Sequence, residues 1–517
     1  MTPPDALPQD EALPQDEALA QDAESGATPD TPRDTRGLFF RVFPSIILPM
    51  FLAAVDQTIV ATALPQIAGS LGDVERVGWV VVAYLMATTI AAPVYGRLGD
   101  ALGRKRLLFV ALGLFVAASV ACAVAPTLLV LIAARVAQGA GGGGLMTMSQ
   151  ALIGESVPPR ERARYQGYLA STFMVSSTFG PVAGGWLTQQ FGWRSVFLVN
   201  VPLGALAAVM ALRLPDRVGA ASRVRFDWIG LVFFIGFVVP LLLSLERAQR
   251  VSLAALPGIA GLVAVALVSL VLLLRQERRT GTPLIPVGLL RQAAIWRADA
   301  MAACVGASIV GAVTFMPIYL QAVRGAGPGQ VGLLLLPLTV GVAGGSLLTG
   351  RMVARSGRTA VYPSYGLAVV TACWVLLAFA AGRVPLGWLP AVFLVMSLSL
   401  GTAMPVVQVT VQMVAGAKNL GAASASVQFS RSIGAALGTA TVGAVLFAWL
   451  ASRDAAVASL FAEVVERGPA VLGALAEDRW VMVAGEIAGA FRAAFLAIAC
   501  FSFMGLLLAW SLPVRRI

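Results

Sequence analysis

Few residues of this chain could do chemistry inside an apolar environment. Asp56 stands in Val55-Asp56-Gln57-Thr58-Ile59-Val60, between the apolar runs 46–54 and 59–64. Arg135 and Gln138 stand in Arg135-Val136-Ala137-Gln138-Gly139, inside another apolar run. A charge at membrane depth costs about 2.5–3.5 kcal/mol on insertion scales, so it is a functional candidate by default. The chain has no histidine. That removes the commonest proton shuttle and metal ligand, and leaves proton chemistry near neutral pH to a carboxylate. Cys122, Cys304, Cys373 and Cys500 lie singly within apolar runs. They show no ligand spacing and no disulfide pattern and read as small core residues. No metal site and no cofactor are expected.

The elements that would position these residues are membrane helices. Of the 517 residues, 58% are hydrophobic and 12% charged, and the mean hydropathy is +0.83. A soluble chain carries about 25% charged residues, so the fold class is all-α polytopic membrane protein. The net charge of +11 does not point to nucleic acid, because the bases lie in short loops between apolar spans, where lipid topology explains them. Spans of about 20 apolar residues fall near 42–64, 77–96, 107–125, 127–150, 164–189, 194–213, 228–247, 252–274, 299–322, 329–350, 360–381, 388–412, 424–450 and 487–512, fourteen in all. Arginine concentrates after even-numbered spans, as in Arg97, Arg104, Lys105 and Arg106 after the second and Arg160, Arg162 and Arg164 after the fourth. The positive-inside rule then puts both termini in the cytoplasm and the chain in the cell (inner or plasma) membrane.

Residues 1–36 carry nine acids and two arginines in a decaying Ala-Leu-Pro-Gln-Asp-Glu repeat, which reads as a disordered acidic cytoplasmic tail. Residues 37–213 read as an N-terminal six-helix bundle. Residues 214–298 read as two linker transmembrane helices with a cytoplasmic loop, and 299–517 as a C-terminal six-helix bundle. The segment 451–486 is the one long outer connection and is a candidate for an amphipathic helix. An internal repeat supports the division: Val77-Gly78 and Gly96-Arg97-Leu98-Gly99-Asp100 recur as Val331-Gly332 and Gly350-Arg351-Met352-Val353-Ala354, at a constant offset of 254. Such repeats mark transporters, with the substrate site at the repeat interface.

Depth counting pairs the two buried charges. Asp56 lies about eight residues, or about 12 Å, from the outer end of span 1, and Arg135 lies as deep in span 4. A buried arginine needs a partner, so the two are expected near each other; the alternative is an Arg135 that snorkels outward. The run Gly141–Gly144 follows no strand and precedes no Gly-Lys-Ser/Thr, so it reads as close helix packing rather than a phosphate loop.

Several motifs resemble the major facilitator superfamily, and within it the fourteen-span drug:proton antiporters of EmrB/QacA type. The turn with Gly96, Arg97, Asp100, Gly103, Arg104 and Arg106 resembles the family's cytoplasmic gate motif, and its echo has Ala354 in place of the acid. Gly180-Pro181-Val182-Ala183-Gly184-Gly185 resembles the antiporter motif of exporter branches. The segments 56–65 and 200–204, Phe226-Asp227-Trp228, Pro317–Gln321 and 421–434 are similar too. The resemblance implies a major facilitator fold, two six-helix bundles plus two linker helices. It also implies a proton-linked role for the span-4 arginine, with Gln138 beside it, and efflux rather than uptake.

Gln408 and Gln412 share a face of span 12 and are candidates for the cavity lining. Arg431 is another, or else it snorkels at the cytoplasmic end. No carboxylate is read in the middle of spans 9 to 13, which points to monovalent or neutral substrates. Glu246 reads as solvated. The expected function is a multidrug:proton antiporter that exports amphipathic, cationic or neutral compounds by alternating access, through an apolar and aromatic cavity. Asp56 would attract substrate and pair with Arg135. Burial disfavours the charged form of a carboxylate and a nearby arginine favours it; where the two nearly balance, a proton can be loaded on one side and released on the other. The alternative is a dedicated exporter of one endogenous metabolite, such as a siderophore or antibiotic. An enzyme would need a clustered acid, base or metal site, which the chain lacks. The expected partners are a drug-like small molecule, protons and the bilayer. Whether a periplasmic adaptor and outer-membrane channel take part is open at this stage.

Overall fold

A computed structural model describes residues 35–73, 76–215, 226–248, 255–281, 283–285, 287–453, 455–467 and 477–516. The expected acidic tail, but for its last two residues, lies outside these. The chain divides into two compact units, Met1–Pro44 and Ser45–Ile517. The described part of the first is the opening of helix α1.

Helices make up the fold, and no strand occurs among the described residues apart from one isolated bridge between Arg358 and Arg516. In chain order they are α1 (Thr35–Ile59), a 3₁₀ turn at Val60–Ala63, α2 (Leu64–Leu71), α3 (Trp79–Leu102), α4 (Arg104–Ala123), α5 (Leu128–Ser156), α6 (Pro159–Phe191), α7 (Ser195–Leu198) and α8 (Asn200–Ala211). Then follow α9 (Trp228–Ala248), α10 (Leu256–Arg279), α11 (Val287–Leu290), α12 (Ala293–Ala322), α13 (Pro328–Ser356), α14 (Val361–Ala380), α15 (Leu389–Gly401), α16 (Ala403–Ala415), α17 (Leu420–Arg453), α18 (Ala455–Arg467) and α19 (Glu477–Trp510). Among the described residues, twelve helical segments are long and apolar enough to cross a membrane. The other two segments expected to span are present as helices, α6 and α7–α8. The first is too polar, with Ser171, Thr172, Ser176, Ser177 and Thr178 along it, and the second is too short, at Ser195–Ala211. In the connection between α17 and α19, α18 buries Val457 and Phe461 and exposes Ala456 and Ser459.

Small residues set the packing that positions the site. Helix α5 runs between α3 and α4. A Cβ on Gly143 would lie 2.5 Å from the Thr88 carbonyl of α3, and one on Gly141 would lie 2.7 Å from the Phe115 nitrogen of α4. The glycine run is therefore where backbones touch backbones, as expected of membrane packing. In the carboxy-terminal helices, Gly306 and Gly434 do the same for the α12–α17 crossing. There Tyr319, Trp374, Phe491 and Phe495 form a ring cluster with centroids 5.2–5.8 Å apart. The α9–α10 pair packs mainly on itself, and α9 also covers the seam between α3 and α17. At that seam Phe234 of α9 meets Phe429 of α17 at 5.4 Å, beside Ile90 and Val94 of α3.

Candidate functional site: a buried ion pair beside a central cavity

Helix α1 brings Asp56 and helix α5 brings Arg135 into contact, with Arg135 Nη1 2.5 Å from Asp56 Oδ2 and both side chains fully buried. Gln138, one turn along α5, accepts from Arg135 Nη1 at 2.6 Å and donates to Asp56 Oδ1 at 2.9 Å. Asn200, at the start of α8, donates to the same oxygen at 2.8 Å. Ser119 Oγ of α4 accepts from Gln138 and Asn200. Arg135 Nε reaches the Val80 carbonyl at 3.0 Å, and its plane lies 4.1 Å from the Tyr84 ring. Tyr84 in turn donates to the Ala53 carbonyl on α1. Arg135 points into the bundle and does not snorkel. Asn200, Ser119 and Tyr84 complete the cluster; of these the sequence marks only Asn200, as the first residue of the segment 200–204. A neutral polar side chain in an apolar helix carries no sign of what it faces.

With three donors on its two oxygens, Asp56 is well suited to hold a negative charge. Removing Asp56 would leave Arg135 buried without a counter-charge, which is strongly unfavourable.

A cavity of about 350 Å³ lies between the amino- and carboxy-terminal helices. It is within the size range of ligand pockets. Gln57, Thr88 and Thr89 contribute from one side and Gly306, Gln428 and Arg431 from the other. Asp56, Arg135 and Gln138 do not line it. Asp56 precedes the lining residue Gln57 and is fully buried, as are Arg135 and Gln138. The wall is apolar but mainly aliphatic rather than aromatic: among the described residues Phe173 is its one aromatic side chain. Charged lining comes from Arg431 and from Glu246, which is exposed but faces the cavity rather than bulk solvent alone. Arg431 donates to Gln428 at 2.6 Å and lies 4.8 Å from the Phe173 ring, which removes the snorkelling alternative.

Beyond this cavity a smaller one of about 40 Å³ is bounded by Gln150, Gln166, Gln408 and Gln428, one glutamine from each of α5, α6, α16 and α17. Gln408 donates to Ser424 at 3.0 Å. Gln412 lines neither cavity. It donates to the Gln150 carbonyl at 3.0 Å and joins the two sets of helices.

The helices are closed against each other at the end where α3 finishes and α17 begins. Asp100 accepts from the backbone nitrogens of Gly421 and Ala422 at 2.8 and 2.9 Å, the first turn of α17, where the helix dipole favours an anion. Arg104 bonds Asp100 at 2.7 Å, Glu155 at 2.9 Å and the Ala417 carbonyl at 3.1 Å. Gly103, at φ 99°, makes the turn between α3 and α4. Arg97 is half-buried and Arg106 exposed. In the echoed turn none of Arg351, Arg355 and Arg358 forms an ion pair among the described residues. Gly96 packs on Gly421 and Ala425, and its counterpart Gly350 packs on the Ala163 backbone. The offset of 254 also relates Gly167, which packs on Ser346, to Gly421. The antiporter-motif residues Gly180 and Gly184 pack on Thr58, Ile59 and Thr62, immediately after Asp56; a Cβ on Gly185 would meet nothing within 4 Å. Pro181 lies between them inside α6.

A further acid is buried. Helix α12 starts at Ala293, six residues before the expected span, which puts Asp299 in its second turn, where it is 6% exposed. Asp299 is the first residue of the expected span 299–322 and not in its middle, but its burial is something the apolar count did not convey. An apolar count places a span's edge at its first charge, while the helix continues through it.

Comparisons with known proteins agree with this architecture. The model of the Major Facilitator Superfamily matches residues 46–439. An uncharacterized MFS-type transporter of Mycobacterium tuberculosis is 31% identical over 90% of this chain and 68% of its own length. The multidrug transporter protein MdtP of Bacillus subtilis is 30% identical over 78% of this chain and 74% of its own. Among solved structures, the human organic anion transporter MFSD10 superposes with a TM-score of 0.62 at 15% identity, covering 91% of this chain and 99% of its own. The proton:xylose symporter XylE gives 0.61, also at 15% identity, covering 93% and 98%. At such identity the likeness speaks for the fold. With the family model covering most of the chain, this protein belongs to the Major Facilitator Superfamily and is a multi-pass membrane transporter, not an enzyme.

Proposed function

We propose that this chain is a proton-coupled exporter of amphipathic cationic or neutral compounds, with fourteen spans and both termini in the cytoplasm. The observation that carries the reading is the buried Asp56–Arg135–Gln138–Asn200 cluster, one residue removed from a cavity between the two sets of helices. Asp56 is the proton site. Substrate occupies the cavity and is felt by Asp56 through Gln57 and through the α3 wall that carries Tyr84 and Thr88. In this orientation the state seen here is closed toward the cytoplasm by the Asp100 and glycine contacts. The efflux direction is supported by the Gly180–Gly185 face against α1, and by relatives named as multidrug transporters, MdtP among them. Rocking of the helices about the cavity then exposes it alternately.

The test is substrate-dependent dissipation of an imposed pH gradient in everted vesicles, with a panel of drugs, on wild type and Asp56→Asn. The expected result is dissipation by several amphipathic compounds and its loss in Asp56→Asn. Wild-type rates in the variant would remove Asp56 from coupling. Response to a single metabolite alone would favour the dedicated exporter.

A further inference from the structure

Asp299 is the buried acid that the mechanism above does not use. Its Oδ1 accepts one long hydrogen bond, from Ser426 Oγ at 3.4 Å, and its Oδ2 has no partner. No lysine or arginine nitrogen lies within 4.0 Å of it among the described residues. Other buried acids are better served: Asp56 has an arginine and two amides, Asp227 accepts from the Gly230 nitrogen at 2.8 Å, and Glu277 from the Ile285 nitrogen at 3.0 Å. A buried carboxylate with no cation and a single long donor is costly unless something else supplies the rest.

Asp299 lines a cavity of about 310 Å³, separate from the central one. The rest of the wall is mainly apolar: Pro93 of α3, Leu284, Ile285 and Leu289 from the segment before α12, and Phe429 of α17. Trp296, 45% exposed, stands at its mouth. One carboxylate and two hydroxyls, from Ser426 and Ser430, are too few oxygens for a calcium or magnesium ion, which needs six or more ligands, water included. The volume and the walls fit an organic body instead, and the single unpaired acid fits a single positive charge.

We propose that this cavity is a second binding site, apart from the central cavity, for a lipophilic monovalent organic cation held by Asp299. Its walls come from α3, α17 and the segment ahead of α12. Ala422 and Ala425, which line it, belong to the α17 turn that meets Asp100 and Gly96. A cation seated here therefore lies against the closed seam, not in the central space.

The test uses the full chain in nanodiscs, with tritiated tetraphenylphosphonium as the probe and no gradient, so its outcome is independent of proton coupling. Ala300→Cys, in a background with Cys373→Ser and Cys500→Ser, places a thiol on the cavity wall. The expected result is that tetraphenylphosphonium slows maleimide labelling of that thiol about tenfold. Asp299→Asn, nearly the same shape, abolishes the protection and weakens the associated binding about tenfold, while Asp299→Glu retains both within about threefold. Equal unprotected labelling rates and a single size-exclusion peak establish that the variants are folded; the Glu variant carries the comparison should the Asn variant not be. Phe173→Ala, in the central cavity, leaves the protection unchanged. Unchanged protection in Asp299→Asn, or binding in the wild type without protection of the thiol, overturns the proposal, as does the absence of binding.

Discussion

Asp56 and Arg135 illustrate how a buried pair divides its energetics. Removing one partner strands the other charge, at a cost of about 3–5 kcal/mol, whereas replacing both with neutral groups of like volume is often close to neutral. Arg135→Leu alone is therefore expected to lower the thermal midpoint of the detergent-solubilised protein by several degrees. Asp56→Asn combined with Arg135→Leu should recover most of that loss while transport stays abolished; a double variant as unstable as the single would contradict the pair's isolation from other charges. The pairing was accessible from sequence because both residues are charged and helix rise converts their positions into depth. Asn200 and Ser119 were not, since nothing in a neutral side chain's neighbours fixes its azimuth. The burial of Asp299 was not legible for a different reason: it sits where hydropathy falls but the helix continues.

Among the elements, α6 carries the most pointed test. A Cβ on Gly180 would overlap the Thr58 hydroxyl, whereas one on Gly185 would meet open space. Gly180→Ala is expected to reduce drug efflux at least about tenfold, because overpacking costs about 1–3 kcal/mol and displaces α6 from α1. Gly185→Ala should leave efflux near wild type, although both glycines belong to one motif. Thr58→Ala should restore much of the activity of Gly180→Ala, a coupling that a double-mutant cycle in cells measures. The helix pattern itself was largely legible, because about 20 apolar residues and polar connections leave little freedom. What composition could not convey was the 3₁₀ turn at Val60–Ala63 directly after the buried acid, or the role of α9. Sequence placed α9 as a linker, and packing makes it a lid on the α3–α17 seam.

At the scale of the whole molecule, the closed end is held by backbone contacts between glycines together with the Asp100–Arg104 network. Gly421→Leu would place a side chain in the Gly96 carbonyl. The expected outcome is a shift toward the open arrangement, read as longer distances between spin labels attached at Leu102→Cys and Lys418→Cys, both exposed positions. Unchanged distances would mean that the seam does not govern closure. The 254-residue repeat foretold two related turns. It did not foretell that the turns close on Gly421 and Ala163, because an offset within one chain says nothing of which half a residue faces.

The paired seams have a mechanical consequence. Gly96 on Gly421 and Gly350 on Ala163 pin the interface at two places, each with room for no Cβ. Sliding one half along the other by a turn, about 5.4 Å along a helix, would carry Asp100 toward the place of Gly96 and Ala354 toward that of Gly350, spaces that only glycine fits, at both places together. Drawing the halves apart meets no such obstacle. Shear is stiff and separation is soft, so of all relative motions the contact geometry leaves one inexpensive: a jaw-like opening.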